Sequence, residues 1–168
     1  MTATIGVDIG GTRAASAVIG VTADLRVCEV HILHGDDSVL RVIGIIEEIA
    51  ERRRIRECAY DPWRFQSEGL RLERDHGLQM VDFPQSHARM VVASEGLHKA
   101  IVERRLTHPG DPELDRHIHS AVARKTGRGW RLDKTRRSAQ IDGVIALAMA
   151  VERATTPAPP RARLLGFV

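Results

Sequence analysis

The chain has 168 residues, 43% of them hydrophobic and 28% charged. This composition excludes a disordered chain and suffices for one domain with a sizeable core. Aromatic residues make up only 4%, too few for a protein that binds single strands mainly by stacking bases. Net charge is +3, apolar runs are broken by charge well short of membrane-spanning length, and no basic segment precedes an apolar N-terminal stretch, so neither a transmembrane helix nor a signal peptide is expected.

Hydrophobic patterning predicts a buried strand over 4–9, a turn at Gly10-Gly11-Thr12, and strands over 14–21 and 25–33 joined near Thr22-Ala23-Asp24, together an antiparallel meander. Asp36-Asp37-Ser38 offer N-caps for a helix in which Val39, Val42, Ile43, Ile46 and Ile49 recur at helical spacing. Its end at Arg52-Arg53-Arg54 is basic, as suits a helix C-terminus. A strand over 55–60 follows, and the strand–helix–strand order implies a crossover that sets it beside the first sheet strands. Asp61-Pro62 opens a helix reaching Asp75, broken by His76-Gly77, and a strand over 78–83 follows. An amphipathic helix over 86–103 directs Met90, Ala93, Leu97 and Ile101 inward. After the sharp loop His108-Pro109-Gly110-Asp111-Pro112, the pattern predicts a helix over 115–125, a turn at Thr126-Gly127-Arg128-Gly129, a short strand over 130–134 and a last helix over 141–153. Residues 155–168 hold three of the seven prolines and read as an extended tail, so the chain divides into a domain of 1–154 and a tail of 155–168.

Cys28 and Cys58 lie far apart in strand-like runs without a CxxC partner, and read as reduced buried thiols of a cytosolic protein. The eight histidines form no zinc motif: His117 and His119 would diverge on a helix, and His31 and His34 lie in a strand-like run and its turn, so ordinary surface histidines are expected. HExxH, GxSxG and the GxxxxGK[ST] phosphate loop are all missing.

Three aspartates stand where chemistry concentrates. Asp8 ends the first apolar run, at a Gly-Gly turn; it serves either as a ligand at the carboxyl end of a central strand or as a turn carboxylate bonded to local amides. Asp61 ends a second run and serves either the same site or as the cap of the helix that Pro62 begins. Asp142 starts an Ala-rich helix, where it suits the macrodipole. Gly143 beside it gives up about 1 kcal/mol of helix propensity relative to Ala, understandable if substrate or another element comes close. Ala146, Ala148 and Ala150 leave that helix slender enough to pack tightly on a sheet, although helix propensity alone would also favour them. Carboxylates at the ends of adjacent strands, faced by one at a helix start, can converge on two divalent cations and hydrolyse a phosphodiester; Mg²⁺ and Mn²⁺ prefer such oxygen ligands. Arg124, Lys125, Arg128, Arg131, Lys134, Arg136 and Arg137, against the single acid Asp133, give residues 124–137 a net +6, so the rest of the chain carries −3. Such a segment on a near-neutral body is either a solvated loop or the footprint of a polyanion.

Several segments together resemble the C-terminal nuclease domain of phage large terminase subunits: Tyr60-Asp61-Pro62-Trp63-Arg64, Leu106-Thr107-His108-Pro109-Gly110-Asp111-Pro112, Trp130-Arg131-Leu132-Asp133-Lys134, and above all Gln140-Ile141-Asp142-Gly143-Val144-Ile145-Ala146-Leu147-Ala148-Met149-Ala150. With Asp8 matching the first-strand aspartate, the resemblance covers roughly 4–153. It implies an α/β fold, a ribonuclease H-like mixed sheet flanked by helices. It also implies a Mg²⁺- or Mn²⁺-dependent endonuclease that cuts concatemeric double-stranded DNA during genome packaging in the cytoplasm of an infected bacterium. Asp8, Asp61 and Asp142 would hold two metal ions, Asp133 would be an accessory acid at most, and Lys134 with the neighbouring arginines would lie near DNA. The ATPase motor domain, the small terminase subunit and the portal would be partners. No motor motif occurs in this chain, so translocation would not be its own activity.

A second resemblance competes. Ile5-Gly6-Val7-Asp8-Ile9-Gly10-Gly11-Thr12 is similar to the phosphate-1 segment of sugar kinases of the actin-like ATPase class, where an aspartate and glycines approach ATP and magnesium. No second nucleotide-binding segment follows it. A third reading is a basic DNA-binding module without catalysis, whose binding would not depend on Asp8 or Asp142.

Overall fold

In the computed structural model, residues 1–11, 14–35 and 38–157 are described. The first apolar run forms β1 (Thr2–Asp8), which pairs antiparallel with β2 (Ser16–Val21); β2 in turn pairs antiparallel with β3 (Val27–Leu33). Helix α1 (Ser38–Arg52) then crosses over to β4 (Arg54–Tyr60), parallel to β1, and α2 (Pro62–His76) crosses to β5 (Met80–Asp82), parallel to β4. The result is a mixed five-stranded sheet of order β3-β2-β1-β4-β5. The expected meander and crossover are both present. Asp36 and Asp37, two of the three anticipated caps of α1, lie outside the described residues, as do Thr12, Arg13 and residues 158–168 of the expected tail; Thr155 belongs to the last helix.

Strand alternation sends side chains to two cores. Ala3, Ile5 and Val7 of β1 join Val42, Ile43, Ile46 and Ile49 of α1 and Phe65 and Leu72 of α2 on one face. On the other, Ala17, Ile19 and Val21 of β2 pack with α3 (His87–Val102) and α5 (Asp142–Thr155). In α3 the inward set is Met90, Ala93, Leu97 and Ala100; Ile101, expected inward, is 49% exposed because the buried stripe continues through Ala100. Helix α5 is buried from Asp142 to Arg153. It can lie that deep because its contact with the sheet is made by backbone: a Cβ at Gly6 would stand 2.1 Å from the Ala146 carbonyl oxygen and 2.9 Å from the Ala150 nitrogen.

The region between α3 and α5 departs from expectation. The helix predicted over 115–125 is α4 (Pro112–His119), capped by Asp111, and it stops at Ser120. Residues beyond it form β6 (Ala121–Thr126), which pairs in unbroken register with β7 (Gly129–Lys134) as a separate two-stranded hairpin. Alanine, arginine and lysine are good helix formers, but propensity is a weak determinant, and cross-strand pairing plus packing of Ala121 and Leu132 against the α3–α5 core outweighs it. The Leu132 amide donates to Ser94 Oγ of α3 at 3.0 Å and pins the hairpin in place.

Candidate active site

The site begins with strand register. Val7 pairs with Tyr60 in adjacent parallel strands, so the next residues, Asp8 and Asp61, stand side by side at the carboxyl edge of the sheet. Alternation turns Asp8, like Gly6, towards α5. Asp142 is the first residue of α5, and the packing of Ala146 on Gly6 holds that helix start over the end of β1. Asp8 and Asp142 are thereby buried together, at 8% and 7% exposure.

Helix α5 has no side-chain N-cap, since Ile141 precedes it. One of its free amides is satisfied from another element: Gly143 N–H donates to His117 Nδ1 at 2.9 Å. His117 is buried rather than on the surface, which corrects the sequence expectation. Burial holds its pKa below the usual histidine value against the opposing pull of Asp142, and because Nδ1 accepts, the neutral ring carries its proton on Nε2. The glycine also finds its reason here. A Cβ at Gly143 would lie 3.0 Å from both His117 Nδ1 and Ile32 Cδ1, so protein, not substrate, makes the close approach.

The electrostatics would suit a cation. Burial, then the charge of Asp142, and also that of Asp61, raise the Asp8 carboxyl to about 7, although Gln85 and Lys134 pull it down. Gln85 Nε2 donates to Asp8 Oδ1 at 2.6 Å. Burial likewise raises Asp142, with backbone hydrogen bonds, Lys134 and His117 opposing. Asp142 Oδ2 is buried without a hydrogen-bond partner. An unpartnered buried carboxylate oxygen beside a second buried acid is the donor set a divalent cation would satisfy. Asp61 is half-buried, and its Oδ1 accepts the Trp63 N–H at 3.1 Å, capping α2. Among the described residues no three His, Cys, Asp or Glu side chains close around a single point: Asp8 and Asp142 form the pair, and Asp61 stands at its rim as a helix cap.

The seven basic residues do not form one patch. Cross-strand register puts Arg124 opposite Arg131 on one face of the hairpin, and Lys125 opposite Trp130 on the other, the face that carries Leu132 and Lys134. Lys134 is the member close enough to act on both Asp8 and Asp142. Arg128 lies in the turn at the tip, and Arg136 and Arg137 follow β7. Arg124 forms an ion pair with Asp133, whose Oδ1 also accepts the Lys134 amide, so Asp133 is engaged within the hairpin. Gln85 and His117 are the residues that sequence reasoning missed. A glutamine after a proline carries no signal, and His117 reads with His119 as a surface histidine because what it bonds, the Gly143 amide, belongs to another element.

The strand order, with an acidic residue at the end of the central strand and another starting the helix packed on it, defines a ribonuclease H-like nuclease domain. The model of the family "Terminase large subunit, endonuclease domain" matches residues 34–157. The large terminase subunit of Enterobacteria phage HK97 is 31% identical over 114 residues, 66% of this chain and 22% of that relative. The large terminase nuclease of thermophilic phage G20c superposes with a TM-score of 0.74 at 16% identity, covering 89% of this chain and 80% of that one. The same nuclease with bound magnesium gives 0.70 at 17% identity, covering 90% and 81%. The chain belongs to the terminase large subunit endonuclease-domain family, and it spans 22% of the length of the curated relative it matches.

Proposed function

We propose that this domain is the Mg²⁺- or Mn²⁺-dependent endonuclease of a phage packaging terminase, cutting concatemeric double-stranded DNA in the host cytoplasm. The observation that carries the metal site is the unpartnered Asp142 Oδ2 beside the buried Asp8. Asp8 and Asp142 would hold the divalent ions, and Asp61 would complete the set by turning its free oxygen inward while keeping its cap. Ions bound there supply a water of lowered pKa and charge stabilisation at the phosphate. Gln85 orients Asp8 by donating to Oδ1, and no donor among the described residues reaches Oδ2. Lys134 offsets the charge of the acids and faces the incoming phosphate, and the hairpin arginines hold the backbone on either side. No helix among the described residues is long and apolar enough to cross a membrane. The motor domain, small subunit and portal are the partners this role requires.

The kinase reading is disfavoured by a local bond. Gly10 N–H donates to Ser16 Oγ at 3.1 Å and is not presented to a phosphate.

The test is cleavage of supercoiled plasmid with Mn²⁺, Mg²⁺ or EDTA, beside Asp8→Ala and Asp142→Asn. The expected result is metal-dependent nicking and linearisation, lost in both variants while both still fold. Salt-sensitive DNA binding with no cleavage under any metal would favour a non-catalytic module. Retained cleavage by Asp142→Asn with normal metal dependence would remove Asp142 from the site.

A further inference from the structure

The first turn of α2 carries two groups that this mechanism leaves unused. Trp63 is 84% exposed. The other tryptophan, Trp130, is half-buried and packs edge-on to His98 at 5.5 Å. Trp63 is fixed at the edge of the acidic site by its own amide, which donates to Asp61 Oδ1. Arg64, the next residue, reaches the other way: its guanidinium lies 3.4 Å from where a Gly11 Cβ would be, just past the end of β1. There it lines a cavity of about 340 Å³ with Ile9, Gly10, Gly11, Ser38 and Val39. Among the described residues Arg64 makes no ion pair, whereas Arg71 and Arg74 of the same helix both reach Asp75.

A large aromatic ring held in water, followed in the chain by a guanidinium with no ion pair among the described residues, suits a ligand that offers a flat face and a negative charge a short distance apart. A nucleotide does so. A protein partner would ask for a contiguous apolar patch, and the exposed residues after Trp63 are Arg64, Gln66, Ser67 and Leu70, so polar side chains separate the ring from the next exposed apolar residue of the helix. We infer that Trp63 and Arg64 form a second DNA contact across the carboxylates from the hairpin, Trp63 packing on a nucleotide near the scissile phosphate and Arg64 taking a phosphate of the same strand. The inference rests on the endonuclease reading and extends it: the duplex is held from two sides, by the hairpin with Lys134 and by the start of α2.

The experiment uses a fluorescein-labelled 20-base-pair duplex with Ca²⁺ in place of Mg²⁺, read by anisotropy over a salt series, and tryptophan emission in a Trp130→Phe background. The expected result is a change in Trp63 emission on binding and about tenfold weaker binding by Trp63→Ala with an unaltered salt slope. Arg64→Ala should lower the slope by about one. An unchanged melting temperature in Trp63→Ala separates a contact from a structural role. Unmoved emission together with unimpaired binding by both variants would overturn the inference and leave a protein as what covers the ring, while metal-dependent plasmid cleavage would show the endonuclease reading intact. Neither duplex binding nor plasmid cleavage by the unaltered chain would overturn both.

Discussion

Asp8 keeps its proton until about pH 7 because it is buried and because Asp142 and Asp61 stand near it. In the metal-free domain this has a definite sign. A carboxyl whose folded pKa lies above its unfolded value contributes stability that is fully present below about pH 4 and is lost as pH rises through 7. Asp142, also raised, acts in the same direction. His117, depressed by burial, acts oppositely below its unfolded pKa of about 6.5, so comparison with Asp8→Asn isolates the carboxylate. In EDTA, the melting temperature of the unaltered chain should fall relative to Asp8→Asn between about pH 5 and pH 8, and Mg²⁺ or Mn²⁺ should reverse the difference at pH 8. Parallel pH profiles for the two proteins would show that Asp8 does not titrate in that range. Asp8 and Asp142 stood out in the sequence by position alone, one ending an apolar run and the other opening an alanine-rich helix. Asp61 offered two readings, and the cap is the one its hydrogen bond realises in this structure.

Among the elements, β1, β2 and α5 were legible because burial on both sides leaves apolar runs with little ambiguity of period. Of the hairpin, the turn and the strand over 130–134 were legible and β6 was not: it is mostly exposed and carries arginine and lysine, so only its pairing with β7 reveals it. The hairpin's proposed role predicts a separable effect. Replacing Lys125, Arg128 and Arg131 with alanine should weaken DNA binding and lower the salt slope by about 2–3, while the stabilisation conferred by Mn²⁺ stays unchanged. An unaltered slope would place the DNA elsewhere. The contact between α5 and β1 predicts the converse, a change far from charge that is felt throughout. Gly6→Ala forces a methyl against the Ala146 carbonyl and should destabilise the domain by about 3 kcal/mol in denaturant titration. A loss within experimental error would mean that α5 can lift off the sheet freely.

At the scale of the molecule, two cores lie on opposite faces of one sheet, and β1 is the central strand of five. Across the second core, Arg153 of α5 forms a double hydrogen bond to Glu57 of β4, a residue fully removed from solvent. A domain so joined should unfold in a single transition, with calorimetric and van't Hoff enthalpies in agreement; a ratio well above one would reveal the hairpin or the α1–α2 face melting alone. The layered α/β plan could be read from the chain because, after the opening meander, strand and helix periods alternate cleanly from Val27 to His76. The clustering of acids could not be read from spacing, since it depends on how α5 seats on a strand from the other end of the chain.

That seating has a further consequence. Gly6 bears no side chain that could ligate anything, yet the helix that presents Asp142 rests on its backbone at Ala146 and Ala150. It works as a calliper stop: the gap between two carboxylates distant in the chain is set by how near a helix can come to bare main chain. On the proposed metal site, retuning which ion would fit that gap means adjusting the thickness of the stop at position 6 and leaving both jaws untouched.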